Sequence, residues 1–136
     1  AEQFKSIVDK GHAVGNHTYN HMNGWNNSLL SYMRDVMKCE SVFKSTLFRP
    51  PHGRMSNKQR AALTKEYKVI MWDVLSGDFD SSLSGEECAE AVIDNTTNGS
   101  IIVFHDSIKA ADRLPIVLET LTAQGYIFKA ISYSLT

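Results

Sequence analysis

The residues able to do chemistry in this sequence fall into four clusters. His17 and His21 stand four apart in H-T-Y-N-H, and a third histidine, His12, lies just before them. Arg49 opens R-P-P-H-G, where Pro50 and Pro51 stiffen the backbone and Gly53 permits close approach or a positive φ. Asp73, Asp78 and Asp80 lie in W-D-V-L-S-G-D-F-D, and His105 and Asp106 follow the apolar run I-I-V-F. Each cluster alone has an ordinary explanation as surface or capping polarity. The histidine spacing suits two imidazoles aimed at one metal ion from one helical turn, for which Asn16 is the expected N-cap. Two histidines still fall short of zinc's usual three protein ligands, so a carboxylate is needed. A calcium loop starting at Asp78 is unsupported, because Leu83 stands where the turn needs glycine. Asp80 reads as a solvated turn residue, and His12 as packing or capping before its strand. A histidine directly after a buried strand is expected to be partly buried, where its protonation can be tuned.

The elements that must position these residues alternate between helix and strand. Residues 1–11 read as a helix closed by Gly11, and 12–16 as a short extended run. A helix is expected over 27–44, an extended segment at T-L-F-R-P-P, and a helix opened by the capping box Ser56/Gln59. K-V-I-M-W-D-V reads as a single buried strand, followed by a helix opened by the box Ser84/Glu87. I-I-V-F is a further strand, A-D-R-L-P-I-V-L-E-T-L-T-A-Q-G a helix, and I-F-K-A-I-S-Y a closing strand. This is an α/β chain with parallel strands, either an open doubly wound sheet or a β/α barrel. In both, the C-terminal strand ends gather the chemistry, and all four clusters fall there.

With 136 residues, 43% of them hydrophobic, the chain suits one domain. Its formal net charge of −1 gives no electrostatic reason to expect nucleic acid, and no apolar run is long enough to span a membrane. Cys39 and Cys88 sit apart in expected helices and make no metal or redox spacing. No Gly-rich dinucleotide turn is present.

Taken in order, H-T-x-x-H, R-P-P-H-G, W-D-x-x-x-x-D-F and V-F-H-D resemble the second to fifth motifs of the polysaccharide deacetylases, carbohydrate esterase family 4 with its NodB homology domain. The resemblance implies a distorted β/α barrel and a divalent metal, usually zinc, serving removal of N-acetyl groups from amino sugars in peptidoglycan or chitin-like glycans. By position it implies His17 and His21 as metal ligands and Arg49 as the residue orienting a catalytic aspartate. It further implies Pro51 and His52 at the oxyanion, with the His52 backbone N–H as donor. Asp78 would tether His105 as general acid, and Phe79 and Val103 would line the acetyl pocket. Phe79 stands where the family usually has tryptophan, and His52 where tyrosine is more usual. Its first motif, T-F-D-D-G, supplies the base and the third metal ligand, yet no Asp-Asp pair occurs in this sequence.

A closed barrel takes about 200 residues or more. The expectation is therefore one partial deacetylase domain over 1–136, lacking the front of the barrel and inactive alone, with self-association through an open edge. An alternative is a non-catalytic metal- or glycan-binding remnant, and another is an allantoinase-like amidohydrolase of the same superfamily. Only the resemblance points to secretion or the cell envelope.

Overall fold

A computed structural model describes residues 2–131. They divide into two compact units, residues 2–71 with 129–131, and residues 72–128.

The first unit begins with α1 (Glu2–Asp9). Gly11, at φ 82°, lets the chain reverse, so that its N–H reaches the Val8 carbonyl and the His12 N–H reaches that of Ile7. That pair of bonds is a Schellman ending. His12 thus caps through its backbone while its side chain lies in solvent. Next come α2 (Leu29–Glu40), β1 (Leu47–Phe48), α3 (Asn57–Leu63) and β2 (Lys68–Val69). Strands β1 and β2 pair in parallel, with Leu47 opposite Lys68 and Phe48 opposite Val69. The expected extended run at 12–16 contributes one parallel bridge, Asn16 to Phe48. Helix α2 starts two residues later and stops four residues earlier than its periodicity suggests. Ser28 caps its start, and α3 carries the expected Ser56/Gln59 box. Tyr32, Val36, Phe48, Leu63 and Tyr67 form the core of this unit. Burial and the neighbouring Asp35 carboxylate push the Tyr32 hydroxyl up to about 12, so it stays neutral.

The second unit comprises β3 (Val74–Leu75), α4 (Gly85–Asn95), β4 (Ile102–Val103) and α5 (Ile108–Ala123). Here too the strands are parallel, Val74 opposite Ile102 and Leu75 opposite Val103. The Ser84/Glu87 capping box opens α4, and Ser107 caps α5. The core holds Val74, Ala89, Val92, Val117 and Leu121.

Two expectations are corrected. K-V-I-M-W-D-V is two strands, not one, and they belong to different sheets. Between them the Ile70 and Met71 carbonyls accept from the Arg49 guanidinium, and Asp73 Oδ1 accepts the Ile101 N–H, so side chains replace ladder partners. The closing strand is absent over residues 127–130, which are irregular, and its end at 132–133 lies outside the described residues. Among the described residues no helix is long and apolar enough to cross a membrane.

Gly24 marks the tightest backbone approach in the first unit. A Cβ there would lie 2.5 Å from the Arg54 carbonyl oxygen and 2.7 Å from Gln59 Oε1. Gly24→Ala should therefore destabilise the chain by roughly 1–3 kcal/mol through overpacking, read as a lower urea midpoint. An unchanged midpoint would mean that the loops at 24 and 54 are not clamped together.

Candidate active site

The first unit holds the histidine pair on a loop, not on the expected helical turn. Asn16 explains the difference. It is 2% exposed and caps no helix. Its Nδ2 donates to the Val36 carbonyl, and its Oδ1 accepts the Thr18 N–H at 2.9 Å. Asp35 on α2 then takes the Tyr19 and Asn20 N–H groups on Oδ2 and the Asn20 amide on Oδ1. Thr18 Oγ1 accepts the Met22 N–H. The loop is thus tied at each step by a side chain that replaces helical bonds. Burial opposes ionisation of Asp35, but these hydrogen bonds outweigh it and hold its carboxyl below the usual range.

His17 and His21 lie with ring centroids 5.0 Å apart, and His52 packs on His21 at 4.6 Å. His17 Nδ1 is 2.7 Å from the Arg49 carbonyl oxygen. Because that oxygen only accepts, Nδ1 must carry the proton and Nε2 keeps its lone pair. Carbonyl support of this kind is the usual second contact of a metal-ligating histidine. Desolvation is the largest influence on His17 and favours the neutral ring; the hydrogen bond to the Arg49 carbonyl opposes it, the nearby charges of His21, Arg49 and His52 reinforce it, and the net shift is downward. Thr18 (φ 60°), His21 (φ 53°) and His52 (φ 57°) are the non-glycine residues in the left-handed region among those described. All three lie in these two facing loops, where backbone strain commonly marks functional sites.

Arg49 follows β1, and its N–H donates to the Asn16 carbonyl at 3.0 Å. Pro50 and Pro51 are fully buried, and His52 and Gly53 turn the chain with positive φ. The R-P-P-H-G segment is therefore the rigid turn expected of it.

The second unit holds the Asp78 and His105 clusters. Asp78, 3% exposed, follows β3 and accepts four hydrogen bonds. Oδ1 takes Ser76 Oγ–H at 2.7 Å and His105 Nδ1–H at 2.8 Å; Oδ2 takes the His105 N–H at 2.9 Å and Ser107 Oγ–H at 2.7 Å. Burial opposes ionisation, but these donors overcome it and hold the carboxyl far below the ordinary range. His105 is oriented with Nε2 away from Asp78, and its side chain is 48% exposed, more open than expected after a buried strand. Phe79 stacks edge-on against it at 5.2 Å, and Val103 is buried in β4. Asp73 bonds a backbone N–H rather than a histidine or arginine, and Asp80 is the exposed turn residue expected.

Asp35, Ser76 and Ser107 were not singled out in the sequence, and Asn16 and Gln59 only as helix caps, yet all five fix the loops. Asp35 had a legible signal, a charge within the apolar stripe Tyr32, Val36, Cys39 of α2. Among the described residues no group of three His, Cys, Asp or Glu is placed to hold a metal ion. His17 and His21 offer two imidazoles, that of His17 with its tautomer fixed.

Each unit is a parallel β/α unit, the first with a tethered histidine pair and the second with an Asp–His dyad after a strand. A model of the polysaccharide deacetylase family matches residues 1–70, and the chain belongs to that family. It is 28% identical over 139 residues to a peptidoglycan-N-acetylglucosamine deacetylase of Bacillus cereus, covering 94% of this chain and 65% of that protein. The solved peptidoglycan deacetylase PdaC of Bacillus subtilis superposes with a TM-score of 0.89 at 24% identity, covering 97% of this chain and 67% of that one. A carbohydrate esterase family 4 pseudoenzyme of Bacillus anthracis gives 0.83 at 24% identity, covering 97% and 49%. These likenesses assign the fold to the family's distorted β/α barrel, in part. The chain spans less than two thirds of the Bacillus cereus relative.

The Asp78 cluster generates a pH prediction. A carboxyl whose native pKa lies below its unfolded value, about 3.9, adds stability that is complete above that value and lost as pH falls below it. Asp78→Asn should cost roughly 1.5–3 kcal/mol at pH 7 and progressively less below about pH 4, measured by urea denaturation. A cost that does not change with pH would contradict the assignment.

Proposed function

We propose that this chain carries the histidine pair and the acid-histidine dyad of a metal-dependent polysaccharide deacetylase, which hydrolyses the acetamide C–N bond of an N-acetylated glycan. Family membership supports the class, and the peptidoglycan deacetylases among the relatives favour peptidoglycan as substrate. The observation that carries the reading is the pair of fixed tautomers. Arg49's carbonyl leaves Nε2 of His17 available, and Asp78 leaves Nε2 of His105 available.

In the proposed reaction, the base takes a proton from water, the water oxygen bonds to the acetyl carbon, and the C–N bond breaks to leave acetate while the sugar amine gains a proton. His105 gives that proton from Nε2, and Asp78 stabilises the imidazolium before transfer. The His52 N–H, beside buried Pro51, steadies the oxyanion, while Phe79 and Val103 bound the acetyl methyl. Arg49 orients the base. His17 and His21 hold the ion, for which zinc fits an imidazole-rich donor set. When bound, the ion supplies Lewis-acid polarisation and acidifies water. Two imidazoles do not complete such a set, so the third ligand and the base are assigned to a T-F-D-D-G segment beyond this chain. The 1–136 chain is then one partial domain, with self-association through its unpaired edge as a corollary.

A non-catalytic role is the second reading, favoured by the incomplete donor set and by the pseudoenzyme among the structural neighbours. Acetate release separates the two. With zinc, the chain alone should release none from a chitin oligomer. A protein joining it to a T-F-D-D-G segment should release acetate, and His17→Ala there should lower the rate at least about 100-fold. Metal-dependent release by the chain alone would overturn the incompleteness. No release by the joined protein would leave the non-catalytic reading.

A further inference from the structure

The loops that carry the histidine pair and R-P-P-H-G face one another along a seam of paired residues. His17 meets the Arg49 carbonyl, His21 packs on His52, the Gly24 N–H donates to the Arg54 carbonyl at 3.2 Å, and Trp25 lies beneath the Arg54 guanidinium at 4.9 Å. The order along one loop, 17, 21, 24, 25, runs with the order 49, 52, 54 along the other. Trp25 ends this row and is 66% exposed. Burying so large an apolar ring elsewhere would stabilise the chain, so its position in solvent calls for a cause.

Its backbone is held firmly. Asn23 Oδ1 accepts the Trp25 N–H, and Gln59 Nε2 donates to the Gly24 and Asn27 carbonyls. Gln59 is fully buried, and the Gly24 position admits no Cβ. The indole is thus mounted on a rigid turn, and the Arg54 cation, attracted to the ring's negative face, fixes its plane. An aromatic ring with a fixed plane and open surface suits the C–H face of a pyranose, whose hydrogens carry partial positive charge. The guanidinium beside it offers donors to sugar hydroxyls.

We propose that Trp25 and Arg54 form a glycan-stacking subsite, which binds a sugar ring of the polymer flanking the unit presented to His17 and His21. The subsite makes the site prefer an oligomer to a single sugar, because a monosaccharide cannot reach the histidines and the indole together. It rests on the polysaccharide reading for the class of ligand.

The test is a titration of the full chain with β-1,4-linked N-acetylglucosamine tetramer, followed by tryptophan fluorescence and calorimetry, with the monomer as control. Trp25→Ala should weaken tetramer binding by roughly tenfold, with an unchanged melting temperature, because the ring lies in solvent. Trp25→Phe should recover part of the loss, and the monomer should bind wild type and Trp25→Ala alike. Equal tetramer affinity for wild type and Trp25→Ala, or no tetramer binding by wild type, overturns the subsite. A joined protein, carrying the T-F-D-D-G segment, that releases no acetate while tetramer binding still depends on Trp25 sinks the deacetylase reading and leaves the subsite standing. A joined protein that releases acetate with the same KM in the Trp25→Ala form does the reverse.

Discussion

A carbonyl oxygen accepts hydrogen bonds and never donates them, and that asymmetry at Arg49 fixes the chemistry of the first unit. The carbonyl holds the His17 proton on Nδ1, the Arg49 N–H closes the bridge to Asn16, and the guanidinium takes the Ile70 and Met71 carbonyls. One residue therefore sets a tautomer, registers the histidine loop against β1, and interrupts the ladder after β2. Buried Pro50 and Pro51 keep the chain from relaxing away from this geometry. The left-handed backbone of Thr18 and His21 is a local cost, which Asn16 and Asp35 offset with hydrogen bonds to the same loop.

The second unit applies the same logic with a carboxylate in place of a carbonyl. Asp78 gathers two hydroxyls, one N–H and one imidazole onto two oxygens, so its charge is fully compensated while buried. Ser107 accepts the Ala110 N–H as the cap of α5 while donating to Asp78. The start of a 16-residue helix and the orientation of His105 therefore depend on one side chain.

Much of this was legible in the sequence. Both capping boxes, the Gly11 stop and the alternation of helix with parallel strand follow from local rules, which act over a few residues and survive packing. The Asp78–His105 link was implied by the resemblance to the deacetylase motifs, and the hydrogen bond is present. The helical turn for His17 and His21 failed because a buried Asn16 and a distant Asp35 capture the loop's N–H groups, and no spacing rule encodes a partner fifteen residues away. The single strand expected over K-V-I-M-W-D-V failed for a similar reason: carbonyls in its middle go to Arg49, whose reach is set by the fold rather than by the strand's own composition. Gln59 shows the same limit. Its capping role was readable, but its bonds to Gly24 and Asn27, which mount Trp25, were not.

The central proposal is that His17 and His21 serve as two ligands of a metal site that this chain does not complete, His17 with a fixed tautomer. X-ray absorption at the zinc edge of the zinc-loaded chain tests it most directly. The account predicts scattering from two imidazoles at about 2.0–2.1 Å, with the remaining positions filled by water oxygen. Three or more protein ligands, or no imidazole scattering, would contradict it.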